Sequence, residues 1–267
     1  MKRTVVFAYS VVCYAVFLVT LLYAVGFLGN FAVAKSIDAR STESIAAALF
    51  IDSTLLTLFA LQHSIMARPW FKRVWTRIVS EPAERSTYVL FSSAALLLLF
   101  WAWQPIGVVI WDVSGTILEP VFIVVYAAGL SIVLLSTFLI NHFDLFGLRQ
   151  GYLYFRNRKY VNLEFRTPLF YRHVRHPLYV GWLLTFWSTP VMTVAHLFFA
   201  VMTTAYILLA IRFEENDLVA AHGQRYEQYR KNVPMILPSI RPGVEPVAGT
   251  AVLSPAMPAP PLTENAS

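Results

Sequence analysis

The residues with the clearest chemical potential form the run 175–181, Arg-His-Pro-Leu-Tyr-Val-Gly, at the start of a short apolar segment. Proline suits the first turn of a helix, where its missing N–H costs nothing. The free N–H groups of that turn, together with Arg175, could hold an anionic group such as a carboxylate. Gly181 would let another backbone or a flat ligand approach closely. The structural alternative is an anchor at a membrane surface, where basic residues are common.

A pair of carboxylates follows one apolar segment later, and two tyrosines follow the carboxylates. Glu214 and Glu215 end an apolar run, where adjacent acids oppose the dipole of a helix C-terminus. We therefore predict that at least one of them faces inward and binds a ribose, a cation or Arg175. Tyr226 and Tyr229 share a helix face and could close over a planar ring or a sulfonium. A solvated acid pair and an interfacial aromatic pair are the alternatives.

These residues must be positioned by an unusually apolar chain. Of 267 residues, 57% are hydrophobic and 13% are charged, whereas a soluble domain carries about 25% charged residues. Six apolar segments are apparent, and the first four are long enough to span a bilayer as helices. The last two are shorter or interrupted, and Pro190 near their junction indicates a tight helical hairpin. We predict an all-α, polytopic membrane protein with five to six transmembrane helices, from the segments 5–31, 45–66, 86–103, 120–140, 178–193 and 194–213.

The distribution of basic residues predicts the orientation. With the N-terminus in the cytoplasm, the inner segments contain 19 of the 21 Lys and Arg residues, as the positive-inside rule requires. Both termini are then cytoplasmic, and so are the motifs above. The net charge of +6 follows from the same asymmetry, so we exclude nucleic-acid binding. The inner segments are 1–4, 67–85, 141–177 and 212–267.

The domain organisation is simple. Residues 1–238 form one predicted membrane domain, in which the stretch 141–174 is expected to contain an interfacial amphipathic helix. Residues 239–267 are rich in proline and alanine and are predicted to be a disordered tail. The single cysteine, Cys13, excludes an internal disulfide and a cysteine-based metal site. No metal is predicted.

The C-terminal block resembles the signature of integral-membrane methyltransferases, which include isoprenylcysteine carboxyl methyltransferases and phospholipid methyltransferases. The resemblance covers 173–238 and is carried by the run 175–181, the residues 214–218, Gly223, the two tyrosines and 233–234. It implies that this region binds S-adenosylmethionine at the cytoplasmic face. The residues implied to line the cofactor pocket are Arg175, His176, Pro177, Tyr179, Gly181, Glu214, Glu215, Tyr226 and Tyr229.

The rest of the chain narrows the resemblance. The segments 23–27, 61–69 and 141–150, and Pro120 with its following span, resemble the bacterial methanethiol S-methyltransferase branch. That resemblance implies methylation of methanethiol, a small thiol, to dimethyl sulfide at the inner membrane, in contact with lipid. The Gln-His-Ser part of 61–69 also occurs in a related family of denitrification-associated membrane proteins, which includes a haem-dependent carotene isomerase.

A thiol must lose its proton to become a good nucleophile. The candidates for this step are His63, His142 and Asp144, which lie at the cytoplasmic ends of spans. We predict that a histidine accepts or stabilises the thiol proton, with Asp144 orienting or charging it. Structural roles in helix packing are the alternative for each. Other functions left open are methylation of another thiol or a prenylcysteine carboxylate, haem binding by two of His63, His142 and His176, and a scaffold or transporter.

Overall fold

The computed structural model describes residues 2–39, 44–161, 163 and 165–238. The predicted tail, 239–267, lies outside the described residues. Five helices are long and apolar enough to cross a membrane, so the protein is a multi-pass, all-α membrane protein as predicted. They are α1 (Lys2–Gly29), α2 (Ile45–Ala67), α4 (Glu81–Ala102), α5 (Leu118–Ile140) and α9 (Val194–His222).

Shorter elements connect the long helices. The helix α3 (Pro69–Trp75) follows α2, and two helices, α6 (His142–Leu145) and α7 (Leu148–Phe155), follow α5. A 3-10 turn (Leu169–Arg172) precedes α8 (Pro177–Trp187), and α10 (Gln224–Asn232) follows α9. The only strands in the described part of the chain are β1 (Val109–Asp112) and β2 (Val191–Thr193), which pair antiparallel. Sequence analysis did not predict these strands.

Two helix lengths differ from the prediction and matter for the site. The predicted fifth span, 178–193, contains α8 of 11 residues, about 16 Å long and too short to cross a bilayer of about 30 Å. The sixth, 194–213, extends to His222 in α9. Glu214 and Glu215 therefore lie within a helix and not at a helix C-terminus, so the predicted opposition to a helix dipole does not hold.

Close backbone contact fixes α8 against α5. A Cβ on Gly181 would lie 2.7 Å from the carbonyl oxygen of Gly129 and 2.8 Å from the backbone nitrogen of Val133. Small residues allow membrane helices to approach in this way. Of the two predicted uses of Gly181, the structure shows the close approach of another backbone. Proline at the start of α8 is also confirmed.

The apolar core lies toward one end of the helices, which we call the opposite face. Trp103 is fully buried there and contacts Phe27 and Phe199 edge-on, with ring centroids 6.2 and 5.7 Å apart. The β1–β2 pair ties the α4–α5 loop to the α8–α9 turn at this end. A buried His196, whose Nδ1 lies 3.0 Å from an oxygen of Asp38, joins the α1–α2 loop to α9. The polar motifs therefore lie at the other end, which we call the site face.

Gly181→Ala should lower the melting temperature in detergent by about 2–10 °C, because overpacking costs about 1–3 kcal/mol. The loss is expected although alanine favours helix by about 1 kcal/mol over glycine. Gly107→Ala is the control, since a Cβ there meets nothing within 4 Å. Equal melting temperatures for both variants and the parent would contradict the close α5–α8 contact.

Candidate functional site

Glu215 is the centre of the polar group at the site face. Its Oε1 accepts hydrogen bonds from Nε of Arg175 at 2.7 Å and from Nε2 of His176 at 3.0 Å. An ionised carboxylate only accepts, so a hydrogen of the His176 ring is assigned to Nε2. Both Glu215 and His176 are buried. The prediction that one acid faces inward and binds Arg175 is thus met by Glu215.

Arg175 also holds the segment that follows α10. Its guanidinium donates to the backbone carbonyls of Arg230, at 2.8 Å, and of Val233. The backbone N–H groups of Arg175 and His176 donate to the carbonyls of Pro234 and Met235 at 2.9 and 3.2 Å. The guanidinium is therefore largely engaged by protein acceptors, and its use to hold an anionic ligand stays a prediction.

Glu214 faces the same helix as its neighbour. Its Oε2 accepts a hydrogen bond from the Tyr179 hydroxyl at 2.9 Å. Tyr179 lies two residues after Pro177, on the first turn of α8. The two adjacent acids of α9 thus both contact residues at the start of α8. Negative charge is therefore concentrated at the N-terminal end of this short helix.

The predicted tyrosine pair forms one wall of aromatic rings. The rings of Tyr226 and Tyr229 lie 5.8 Å apart on α10, and Phe165 lies 6.2 and 5.4 Å from them. The Tyr229 hydroxyl donates to the carbonyl of Tyr171 at 2.6 Å. Burial raises the pKa of Tyr226 and of Tyr229 well above the usual range, so both phenols stay protonated.

His63 lies between helices close to this group. Its ring is 2.9–3.0 Å from the Tyr88 hydroxyl, and its Nδ1 is 3.2 Å from the Ser92 hydroxyl. Tyr88 and Tyr206 are electrostatic neighbours of Tyr179. The Tyr88 hydroxyl therefore contacts His63, and Tyr88 and Tyr206 lie in the neighbourhood of the Tyr179–Glu214 pair.

His142 and Asp144 are placed differently. The His142 ring nitrogens lie 2.8 Å from the hydroxyls of Tyr14 and Thr137. Burial lowers the pKa of His142, which favours its neutral form. Asp144 pairs with Arg149 at 2.7 Å and accepts from Tyr160 at 3.2 Å. Among the described residues, neither one hydrogen-bonds to Glu215 or its partners.

Comparison with curated proteins gives close relatives over most of the chain. The methanethiol S-methyltransferase of Crocosphaera subtropica is 60% identical over 240 residues, which are 90% of this chain and 94% of the relative. Methanethiol S-methyltransferase 2 of Bradyrhizobium diazoefficiens is 50% identical, over 89% of this chain and 92% of the relative. The Mycobacterium tuberculosis methanethiol S-methyltransferase is 48% identical, over 89% of this chain and 98% of the relative.

The chain belongs to the methanethiol S-methyltransferase family. The resemblance inferred from sequence is confirmed by these relatives. No family model matches the chain. No solved structure matches it either.

Several side chains in this member of the methanethiol S-methyltransferase family were not predicted. Tyr88 and Tyr206 lie inside apolar segments, and Phe165 and Tyr171 lie in the long loop before α8. Their signal was weak, because aromatic residues near helix ends are common at membrane surfaces. Among the described residues, no group of three or more His, Cys, Asp or Glu side chains is arranged to hold a metal ion.

Glu215→Gln should destabilise the protein by about 3 kcal/mol, because it leaves the buried Arg175 without its counter-charge. Asp217→Asn is the matched control, since the Arg68–Asp217 pair, also 2.7 Å long, has side chains 25% and 32% exposed. An exposed pair contributes about 0–1 kcal/mol. Unfolding in detergent measures both losses. An equal or larger loss for Asp217→Asn would contradict the central position of Glu215.

Proposed function

We propose that this protein transfers the methyl group of S-adenosylmethionine to methanethiol, forming dimethyl sulfide. The observation that carries the proposal is the 60% identity to a methanethiol S-methyltransferase over 90% of the chain. The buried Arg175–Glu215–His176 group supports it, since buried charges near a membrane are costly and mark functional sites. The excess of Lys and Arg on one side supports a cytoplasmic site, cytoplasmic termini and the bacterial inner membrane.

The site residues fit a cationic nucleoside. S-adenosylmethionine, when bound, supplies a methyl group that is attached to a sulfonium sulfur. After the transfer, that sulfur is part of a neutral thioether. Carboxylates accept hydrogen bonds from ribose hydroxyls, and Glu214 and Glu215 are the acids that the start of α8 faces. The rings of Tyr226, Tyr229 and Phe165 offer faces to a planar base or a sulfonium.

The other predicted residues hold the side chains of this pocket in place. Pro177 begins α8 and sets the direction of Tyr179, while Arg175 and His176 hold Glu215 in place. Gly181 keeps α8 against α5. We propose that these residues hold the cofactor pocket in shape, and that Tyr179 and the acids contact the cofactor directly.

The thiol end of the reaction is assigned to His63. The sulfur of methanethiol attacks the methyl carbon as its S–H proton passes to a ring nitrogen of His63, so that one C–S bond forms and another breaks. The hydrogen bonds between the His63 ring and the hydroxyls of Tyr88 and Ser92 orient the ring. His142 and Asp144 stay predicted catalytic residues, to be tested in the same assay.

Purified protein given methanethiol and S-adenosylmethionine should release dimethyl sulfide into the headspace, measured by gas chromatography. Larger thiols and a prenylated cysteine are assayed in parallel. Turnover of the prenylated cysteine without dimethyl sulfide would contradict the acceptor and keep the reaction class. A preparation with a haem absorption band and no methyl transfer would contradict the class itself.

His63→Ala should lower kcat by about a hundredfold to ten-thousandfold, the usual contribution of a general base. His142→Ala and Asp144→Ala are measured beside it. His173→Ala is the matched control, because His173 is exposed at the same face. Retained binding of S-adenosylhomocysteine shows that each variant is folded. Full activity in all three test variants would exclude these residues from catalysis.

A further inference from the structure

Arg85 is a buried arginine to which the described residues supply no counter-ion. It is 8% exposed and lies in the first turns of α4, which begins at Glu81 rather than at the predicted position 86. Within the described part of the chain, its guanidinium forms no hydrogen bond and no ion pair. Buried charges in proteins are normally paired, because removing them from water is costly. A guanidinium that the described residues leave unpaired at this depth is suited to bind an anion.

The surroundings of Arg85 have an excess of positive charge. Burial and the charge of Arg85 lower the pKa of Lys72 to about 8, against the opposing effects of Glu84 and Asp217. Asp217 is already paired with Arg68 at 2.7 Å. On another side lies Tyr160, whose hydroxyl donates to Asp144, and that acid is held by Arg149. Asp217 and Asp144 are thus paired with other arginines, and Glu84 is the one described acid left facing both Arg85 and Lys72, so the net charge at this place is positive.

The same place adjoins the candidate site. Tyr88, three residues after Arg85 on the same face of α4, is an electrostatic neighbour of both Arg85 and Tyr179 and contacts His63. Tyr179 in turn binds Glu214. Arg85 thus lies beside the polar cluster that links the proposed base with the proposed nucleoside pocket.

We propose that Arg85, assisted by Lys72, binds the carboxylate of the methionine part of the methyl donor. The inference rests on the proposed function. S-adenosylmethionine carries a carboxylate that must be neutralised, and the acids Glu214 and Glu215 would repel it. Arg175 is engaged by Glu215 and two carbonyls. Arg85 is a buried guanidinium that the described residues leave unpaired beside the cluster, and its planar fork matches a carboxylate.

Isothermal titration in detergent with two ligands tests this assignment. One ligand is S-adenosylhomocysteine, and the other is its analogue without the carboxyl group. Arg85→Gln should weaken binding of S-adenosylhomocysteine about tenfold to a hundredfold, while binding of the analogue stays within about twofold. Arg85→Lys should recover part of the loss, and Lys72→Met should show a smaller loss with the same ligand selectivity. Arg73→Gln, an exposed arginine beside Lys72, is the control and should change neither affinity.

Three results would overturn the inference. Equal weakening of both ligands would assign Arg85 to the fold, and unchanged affinity for S-adenosylhomocysteine would leave the carboxylate elsewhere. A higher KM for methanethiol with unchanged cofactor affinity would assign Arg85 to the thiol. In each case the wild-type protein still binds S-adenosylhomocysteine, so the proposed function stands. Wild-type protein that binds neither ligand would contradict the proposed function and the inference together.

Discussion

The site face depends on one buried carboxylate. Glu215 neutralises Arg175 and accepts from His176, and Arg175 in turn binds the backbone of the segment after α10. Two distant parts of the chain therefore meet at one oxygen atom, and Arg175 joins a third part to them. Without that charge, the largely buried guanidinium would lose its counter-ion, which would weaken the contact between the start of α8 and the segment after α10.

The remainder of the fold makes this arrangement possible by separating apolar from polar contacts. The aromatic core around Trp103 and the β1–β2 pair close the opposite face. The contact between Gly129 and Gly181 sets the depth of α8, which is too short to span the membrane. A short helix that begins at the site face places its first turn, with the free N–H groups, where α9 supplies its two acids.

Composition and hydropathy were sufficient to predict the long helices, because lipid-facing segments are recognisable from sequence alone. Pro177 and the inward acid were predictable from helix chemistry. The start of α4 and the end of α9 were not predictable in this way. Hydropathy detects where apolar residues stop, and the hydrogen bonding of a helix continues beyond that point. Arg85 was consequently counted as a loop charge, although it is buried in α4. The predicted convergence of His63, His142 and Asp144 rested on their common position at the cytoplasmic ends of spans, and the structure gives His142 and Asp144 hydrogen-bond and ion-pair partners of their own.

The distribution of charge at the site face agrees with the chemistry of a sulfonium donor. A thiolate and a sulfonium cancel their charges on the way to two neutral thioethers, so a dry environment favours the reaction once both charges have been brought in. Moving the two charged reactants from water into the site costs free energy, and fixed opposite charges at the boundary of the membrane offset that cost. Glu214 and Glu215 supply negative charge beside α8, while Arg85 and Lys72 supply positive charge beside α4.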